Sequence, residues 1–231
     1  MVKKDFSRRR QRKLVEEIYL PEQLDQLPSE VASYAFPCGN PVHWSDLRKG
    51  EKVLDLGCGA GLDVILAAQA VGKEGKVWGL DLSRQMLELT ARHCRQMGIL
   101  NIELLYSNME SIPLANDMLD VVLSNCSLSL VPDREKVLRE VFRVLRPGGR
   151  LVAADTIRHG SLPAEIKEET GAWIWGLAGA TTEEFYRCQL QAIGFTKVKF
   201  ERQRKYYVDS GEARGGFAIF STALWAWKPL K

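Results

Sequence analysis

The chain has 231 residues, the size of one generous domain, with 45% apolar and 26% charged residues. That composition buries a sizeable core without disulfide or metal staples. Its long apolar runs, such as Phe217–Trp227, fall short of the roughly 18 residues a membrane span needs. The basic N-terminus is followed by no apolar stretch, so no secretory signal is expected and the cytoplasm is the expected location. Net charge is +3, yet Lys3, Lys4, Arg8, Arg9, Arg10, Arg12 and Lys13 stand against Asp5 alone before Leu14. Without interleaved aromatics this arm reads as a solvated, frayed terminus and points neither to nucleic acid nor to a membrane. Cys38, Cys58, Cys94, Cys126 and Cys188 are odd in number and widely spaced, a pattern against a disulfide framework or structural zinc site and in favour of a reducing compartment.

In chain order, residues 1–46 read as the basic arm followed by a cover broken by Pro21, Pro28, Pro37 and Pro41. The domain proper occupies 47–231. Lys52–Leu56 is a short apolar strand ending in Gly57-Cys58-Gly59-Ala60-Gly61, and a helix is predicted over Leu62–Val71. Lys76–Asp81 is the second strand. Ser83 is placed to cap a helix that closes at Gly98. Asn101–Tyr106 and Leu119–Ser124 are further strands, and Asp133–Leu145 carries apolar residues at helical spacing. Arg146-Pro147-Gly148-Gly149 reads as a tight turn before the strand Arg150–Asp155. A helical insert covers about 160–180, a helix spans Thr182–Ile193, and two long strands, Thr196–Val208 and Phe217–Trp227, form an antiparallel hairpin. Alternating strands and helices predict an α/β fold: a mostly parallel seven-stranded sheet with that hairpin at its edge.

The glycine turn between strand and helix allows a ligand to approach the backbone beside free helix N–H groups. Asp81 follows Gly61 by 20 residues at the end of the second strand, where a carboxylate accepts hydrogen bonds from ribose hydroxyls. Asp55-Leu56-Gly57-Cys58-Gly59-Ala60-Gly61 resembles the first motif of class I methyltransferases. Gly79-Leu80-Asp81, Asn108-Met109-Glu110, Asp120-Val121-Val122 and Arg143-Val144-Leu145-Arg146-Pro147-Gly148-Gly149 follow in that family's order. The resemblance implies a Rossmann-like fold and S-adenosylmethionine as cofactor. It places Asp55, Gly57, Gly59 and Gly61 about the methionine part and ribose, Asp81 on the ribose hydroxyls, Met86 beside the adenine, and Met109 and Glu110 at the adenine edge. Asn108 departs from the acid common there, and Met86 and Met109 serve equally well as core filler.

Three phrases narrow the resemblance. Ser124-Asn125-Cys126-Ser127-Leu128-Ser129-Leu130-Val131-Pro132-Asp133, Pro37-Cys38-Gly39-Asn40-Pro41 and Ala172-Trp173-Ile174-Trp175-Gly176 are similar to segments of arsenite methyltransferases. The likeness implies Cys38 and Cys126 as ligands of trivalent arsenic, Asn125 at the cofactor, and Trp173 and Trp175 walling the acceptor pocket. Soft arsenic prefers thiolate sulfur. The partner would be a small trivalent arsenical, with glutathione or another thiol. Where the family carries a third cysteine this chain has Gly176, so a thiol, water or methyl group would complete the coordination. Cys94 and Cys188, on predicted helices, read as buried packing residues. A quinone precursor or other metabolite as acceptor, or a non-catalytic cofactor- or thiol-binding module, are the alternatives.

Overall fold

The computed structural model describes residues 8–161, 179–209 and 217–230, the side chains of 8–10 and 206–209 excepted. The predicted insert, with Trp173, Trp175 and Gly176, lies outside the described residues. Seven strands form one sheet in the order β3-β2-β1-β4-β5-β7-β6. They are β1 (Lys52–Leu56), β2 (Lys76–Asp81), β3 (Ile102–Tyr106), β4 (Leu119–Asn125), β5 (Leu145–His159), β6 (Thr196–Asp209) and β7 (Phe217–Trp227). The first five are parallel, and β7 runs antiparallel to both β5 and β6. The fold class read from the sequence is therefore the one observed.

Both faces of the sheet are covered, and period-2 alternation sorts its side chains between them. Val53, Val121, Leu123 and Val152 pack on one side with α4 (Leu62–Val71), Leu87 and Cys94 of α5 (Arg84–Gln96), and Val15. Leu54, Val122, Leu151 and Ala153 pack on the other with Val137, Leu138 and Val141 of α6 (Arg134–Val144) and Leu190 of α7 (Glu183–Ile193). Side-chain caps set the helix starts: Ser83 accepts from the Met86 amide, Asp133 from Lys136, and Thr182 from Phe185. Among the described residues no helix is long and apolar enough to cross a membrane.

Three expectations need correction. The arm read as frayed to Leu14 is helical from Arg8 in α1 (Arg8–Ile18), which leads into two further short helices, α2 (Pro21–Leu24) and α3 (Pro41–Trp44). Val15 is buried in the core, which anchors α1, while Arg12 and Glu16 pair across one exposed turn at 3.0 Å. The turn expected at 146–149 belongs to β5. The Gly148 amide donates to the Lys228 carbonyl and the Lys228 amide to the Gly149 carbonyl, so backbone partners distant in sequence hold this stretch extended. Cys94 is buried as expected, but Cys188 is exposed.

Candidate active site

The strand order reverses direction between β1 and β4: successive strands step outward through β2 and β3 on one side, and through β5 on the other. Such a switch point opens a crevice at the carboxyl ends of the strands. A cavity of about 1050 Å³ lies there. Its walls include Asp55, Gly57, Gly59, Asp81, Met86, Met109, Glu110, Asn125 and Cys126, so residues selected from four separate stretches of sequence meet in one place. Gly61 is set behind them as the residue preceding α4.

The glycine turn is held from both sides. The Gly57 amide donates to the Leu80 carbonyl at 2.8 Å, Thr90 Oγ1 donates to the Gly59 carbonyl at 2.7 Å, and His93 Nδ1 lies 2.9 Å from the Ala60 carbonyl. At Gly57 (φ +73°) a Cβ would come within 2.9 Å of both the Ser127 Cβ and the Met109 Cε, so that residue must be glycine for space as well as for backbone angle. Gly59 meets nothing within 4 Å and leaves its side open to the cavity. Asp81 closes the loop from beneath: Oδ2 accepts from the Gly59 amide at 2.9 Å and Oδ1 from Ser83 at 2.8 Å. A carboxylate has about four acceptor sites, so capacity for a ligand remains. Met109 touches the core and also lines the cavity, combining the two roles weighed for it.

Beside the glycine turn, Asp55 and Asp63 are both buried. Burial, then the neighbouring Asp63 and Asp81 charges, push the Asp55 carboxyl well above its ordinary range. Burial likewise lifts Asp63 to about 6, opposed by hydrogen bonds from Asn125 and Tyr19. Burial thus raises the proton affinity of both carboxyls at this end of the cavity, and at Asp55 the neighbouring acids add to it.

Asn125, at the end of β4, is a junction. Its Oδ1 accepts from the Cys38 amide at 2.9 Å; its Nδ2 donates to the Tyr19 hydroxyl at 2.9 Å, the Gly39 carbonyl at 2.9 Å and Asp63 Oδ2 at 3.0 Å. Tyr19 also donates to Asp63 Oδ1 at 2.8 Å. The side chain expected at the cofactor thus ties the N-terminal cover to the sheet. Next to it Cys126 takes a left-handed backbone (φ 57°) and donates its amide to Ala154 at 2.8 Å. Here the expectation of unpaired thiols fails: Cys38 and Cys126 form a disulfide, with Cα atoms 5.4 Å apart across 88 residues of sequence. Spacing along the chain argued against pairing, whereas the fold brings the two sulfurs together.

Sequence reading missed Tyr19, Asp63, Asp155 and Tyr186. Asp155 is buried in β5, accepts from the Tyr186 hydroxyl at 2.8 Å, and lies with its carboxylate and the two sulfurs all within 4.8 Å of one another. Its place at the carboxyl end of a central strand was the available signal.

Residues 47–207 match the family described as a methyltransferase domain. The chain belongs to that family. Among curated relatives, the arsenite methyltransferase of Halobacterium salinarum is 34% identical over 77% of this chain and 47% of its own length. That of Mus musculus is 31% identical over 85% of this chain and 54% of its own. The chain therefore spans about half the length of the curated relatives it matches. The arsenic(III) S-adenosylmethionine methyltransferase structure from Chlamydomonas reinhardtii superposes with a TM-score of 0.75 at 28% identity, covering 90% of this chain and 73% of that one. The cavity, the glycine turn and the disulfide all lie in this methyltransferase domain or in the cover packed on it.

Proposed function

We propose that this methyltransferase domain transfers a methyl group from S-adenosylmethionine to trivalent arsenic held by Cys38 and Cys126. The observation that carries the reading is the meeting of these two sulfurs, 88 residues apart, at the carboxyl end of β4, with Cys126 in the wall of the cavity that holds the glycine turn. The residues fit the cofactor: the turn is open at Gly59, and Asp81 keeps free acceptor capacity for ribose hydroxyls. S-adenosylmethionine supplies an electrophilic methyl on a sulfonium. Met86, Met109 and Glu110 line the same cavity and would border the adenine.

The chain's own work is positioning. Asn125 fixes the Cys38 backbone relative to β4, so both sulfurs stay beside the cofactor cavity. A disulfide cannot ligate arsenic, so a thiol such as glutathione first reduces it, consistent with action in the cytoplasm. The resulting thiolates bind arsenic and leave its lone pair free for in-line attack on the methyl group. Methyl transfer from labelled S-adenosylmethionine to arsenite in the presence of glutathione tests the reading. Cys126→Ser and Cys38→Ser should abolish transfer with cofactor affinity nearly intact, while Cys188→Ser retains it. If both serine variants methylate arsenite at the wild-type rate, the acceptor is another small molecule.

A further inference from the structure

The sulfur pair leaves trivalent arsenic one bond short, and the residues around it hold a candidate for that place. Asp155 is only 2% exposed. The β4–β5 register aligns Asn125 with Ala154, so Asp155 lies one residue beyond the last paired position, level with Cys126. Its carboxylate and the sulfurs of Cys38 and Cys126 lie within 4.8 Å of one another. The Tyr186 hydroxyl donates to Oδ2 at 2.8 Å and the Thr156 amide to Oδ1 at 2.8 Å, so the group is fixed in orientation. No ion pair neutralises it among the described residues. Arg134, the nearby cation, donates instead to the Leu128 and Gly179 carbonyls at 2.8 Å each and lies over the Tyr186 ring. A buried carboxylate without a paired cation is costly to keep for packing alone.

We propose that Asp155 is the third donor of the arsenical site, which binds arsenite through two sulfurs and one carboxylate oxygen. The proposal rests on the reading of Cys38 and Cys126 as arsenic ligands. A thiol reductant delivers two electrons and two protons to the disulfide and is itself oxidised to a disulfide. Arsenous acid then condenses with the two thiols and the carboxyl group. Two As–S bonds and one As–O bond form, three As–OH bonds break, and three waters leave; when the carboxyl starts ionised, solvent supplies the third proton. A monomethyl arsenical has only two exchangeable hydroxyls, both used by the sulfurs, with its As–C bond filling the third position. Asp155 is therefore a specificity residue that favours the inorganic acceptor over its methylated product.

The test uses full-length protein, reduced and then desalted under nitrogen, titrated calorimetrically with arsenite and separately with methylarsonous acid. Asp155→Asn keeps its carbonyl as acceptor for the Thr156 amide, and its NH2 can donate to the Tyr186 hydroxyl. It should weaken arsenite binding by about tenfold or more, the order expected for loss of one charged partner, and change methylarsonous acid binding far less. Asp155→Cys should tighten arsenite selectively, and X-ray absorption should count three sulfurs on its arsenic against two sulfurs and one oxygen in the wild type. Wild-type arsenite affinity in Asp155→Asn, or equal losses for both arsenicals, overturns the role of Asp155 while leaving the sulfur pair in place. If neither arsenical binds the reduced wild type, the reading of the cysteines fails, and this proposal with it.

Discussion

At the scale of single residues, two carboxylates make different demands. Asp81 organises the glycine turn and faces the cavity at once, so Asp81→Ala should weaken S-adenosylmethionine binding by roughly 1.5–3 kcal/mol, the range for hydrogen bonds to a charged group. Calorimetric titration measures it, and an unchanged dissociation constant in a folded variant would remove Asp81 from the cofactor site. Burial raises the proton affinity of Asp63, with its midpoint lifted to about 6. Its folded-state affinity for the proton exceeds that of the unfolded chain, so it stabilises the fold at low pH. Stability then falls as pH rises from about 4 to about 6, by on the order of 3 kcal/mol for a shift of this size. Thermal melts of the wild type should show this decline, and Asp63→Asn should flatten it; parallel pH profiles would count against the assignment.

Both cases bear on what local sequence makes legible. Asp81 stood out because strand, glycine turn, helix and acid follow in order along the chain. Asp63 sits in the first turn of α4, where an acid also serves simply to complement the helix dipole. Only its burial between Tyr19 and Asn125 sets it apart.

Among the elements, the N-terminal cover depends on β4. Asn125 meets Cys38, Gly39, Tyr19 and Asp63, so Asn125→Ala should leave several buried groups unpaired, each costing about 1–3 kcal/mol. Partial compensation by water would lower the total. The expected result is a reduced Tm together with a raised acceptor KM and a smaller change in cofactor affinity. Equal damage to acceptor and cofactor binding would mean that the junction supports the whole cavity rather than Cys38. The strand and helix bounds from β1 to α6 were legible to within a residue or so, because apolar periodicity and caps are local. The extended stretch at Arg146–Gly149 was not. Proline and two glycines signal a turn, but their backbone partners come from Lys228, beyond β7.

For the molecule as a whole, the Cys38–Cys126 bond closes a loop of 88 residues. In the chain-entropy account, a loop of that size contributes roughly 4–5 kcal/mol of stability. Reduction should lower the Tm accordingly, and a trivalent arsenical bridging the two thiols should restore part of the loss by binding only the folded state. Melts of oxidised, reduced, and reduced arsenite-loaded protein compare the three states. A Tm unmoved by arsenite after reduction would show that the two thiols do not act as a chelating pair.

Local sequence was enough for the α/β class, the mostly parallel sheet with its edge hairpin, and the glycine turn with Asp81, while Cys38 and Cys126 stood out only through the resemblance of their segments to arsenite methyltransferases. These follow from periodicity, turn chemistry and motifs that operate within some 20 to 30 residues. That Cys38 and Cys126 are bonded, that Asn125 joins the cover to the sheet, and that Asp155 stands beside the sulfurs emerged from the three-dimensional packing alone. Cys38 lies in the cover, Cys126 follows β4 and Asp155 lies in β5. Their distances are set by sheet register and by packing of the cover on the core, and neither is encoded in the spacing of residues along the chain.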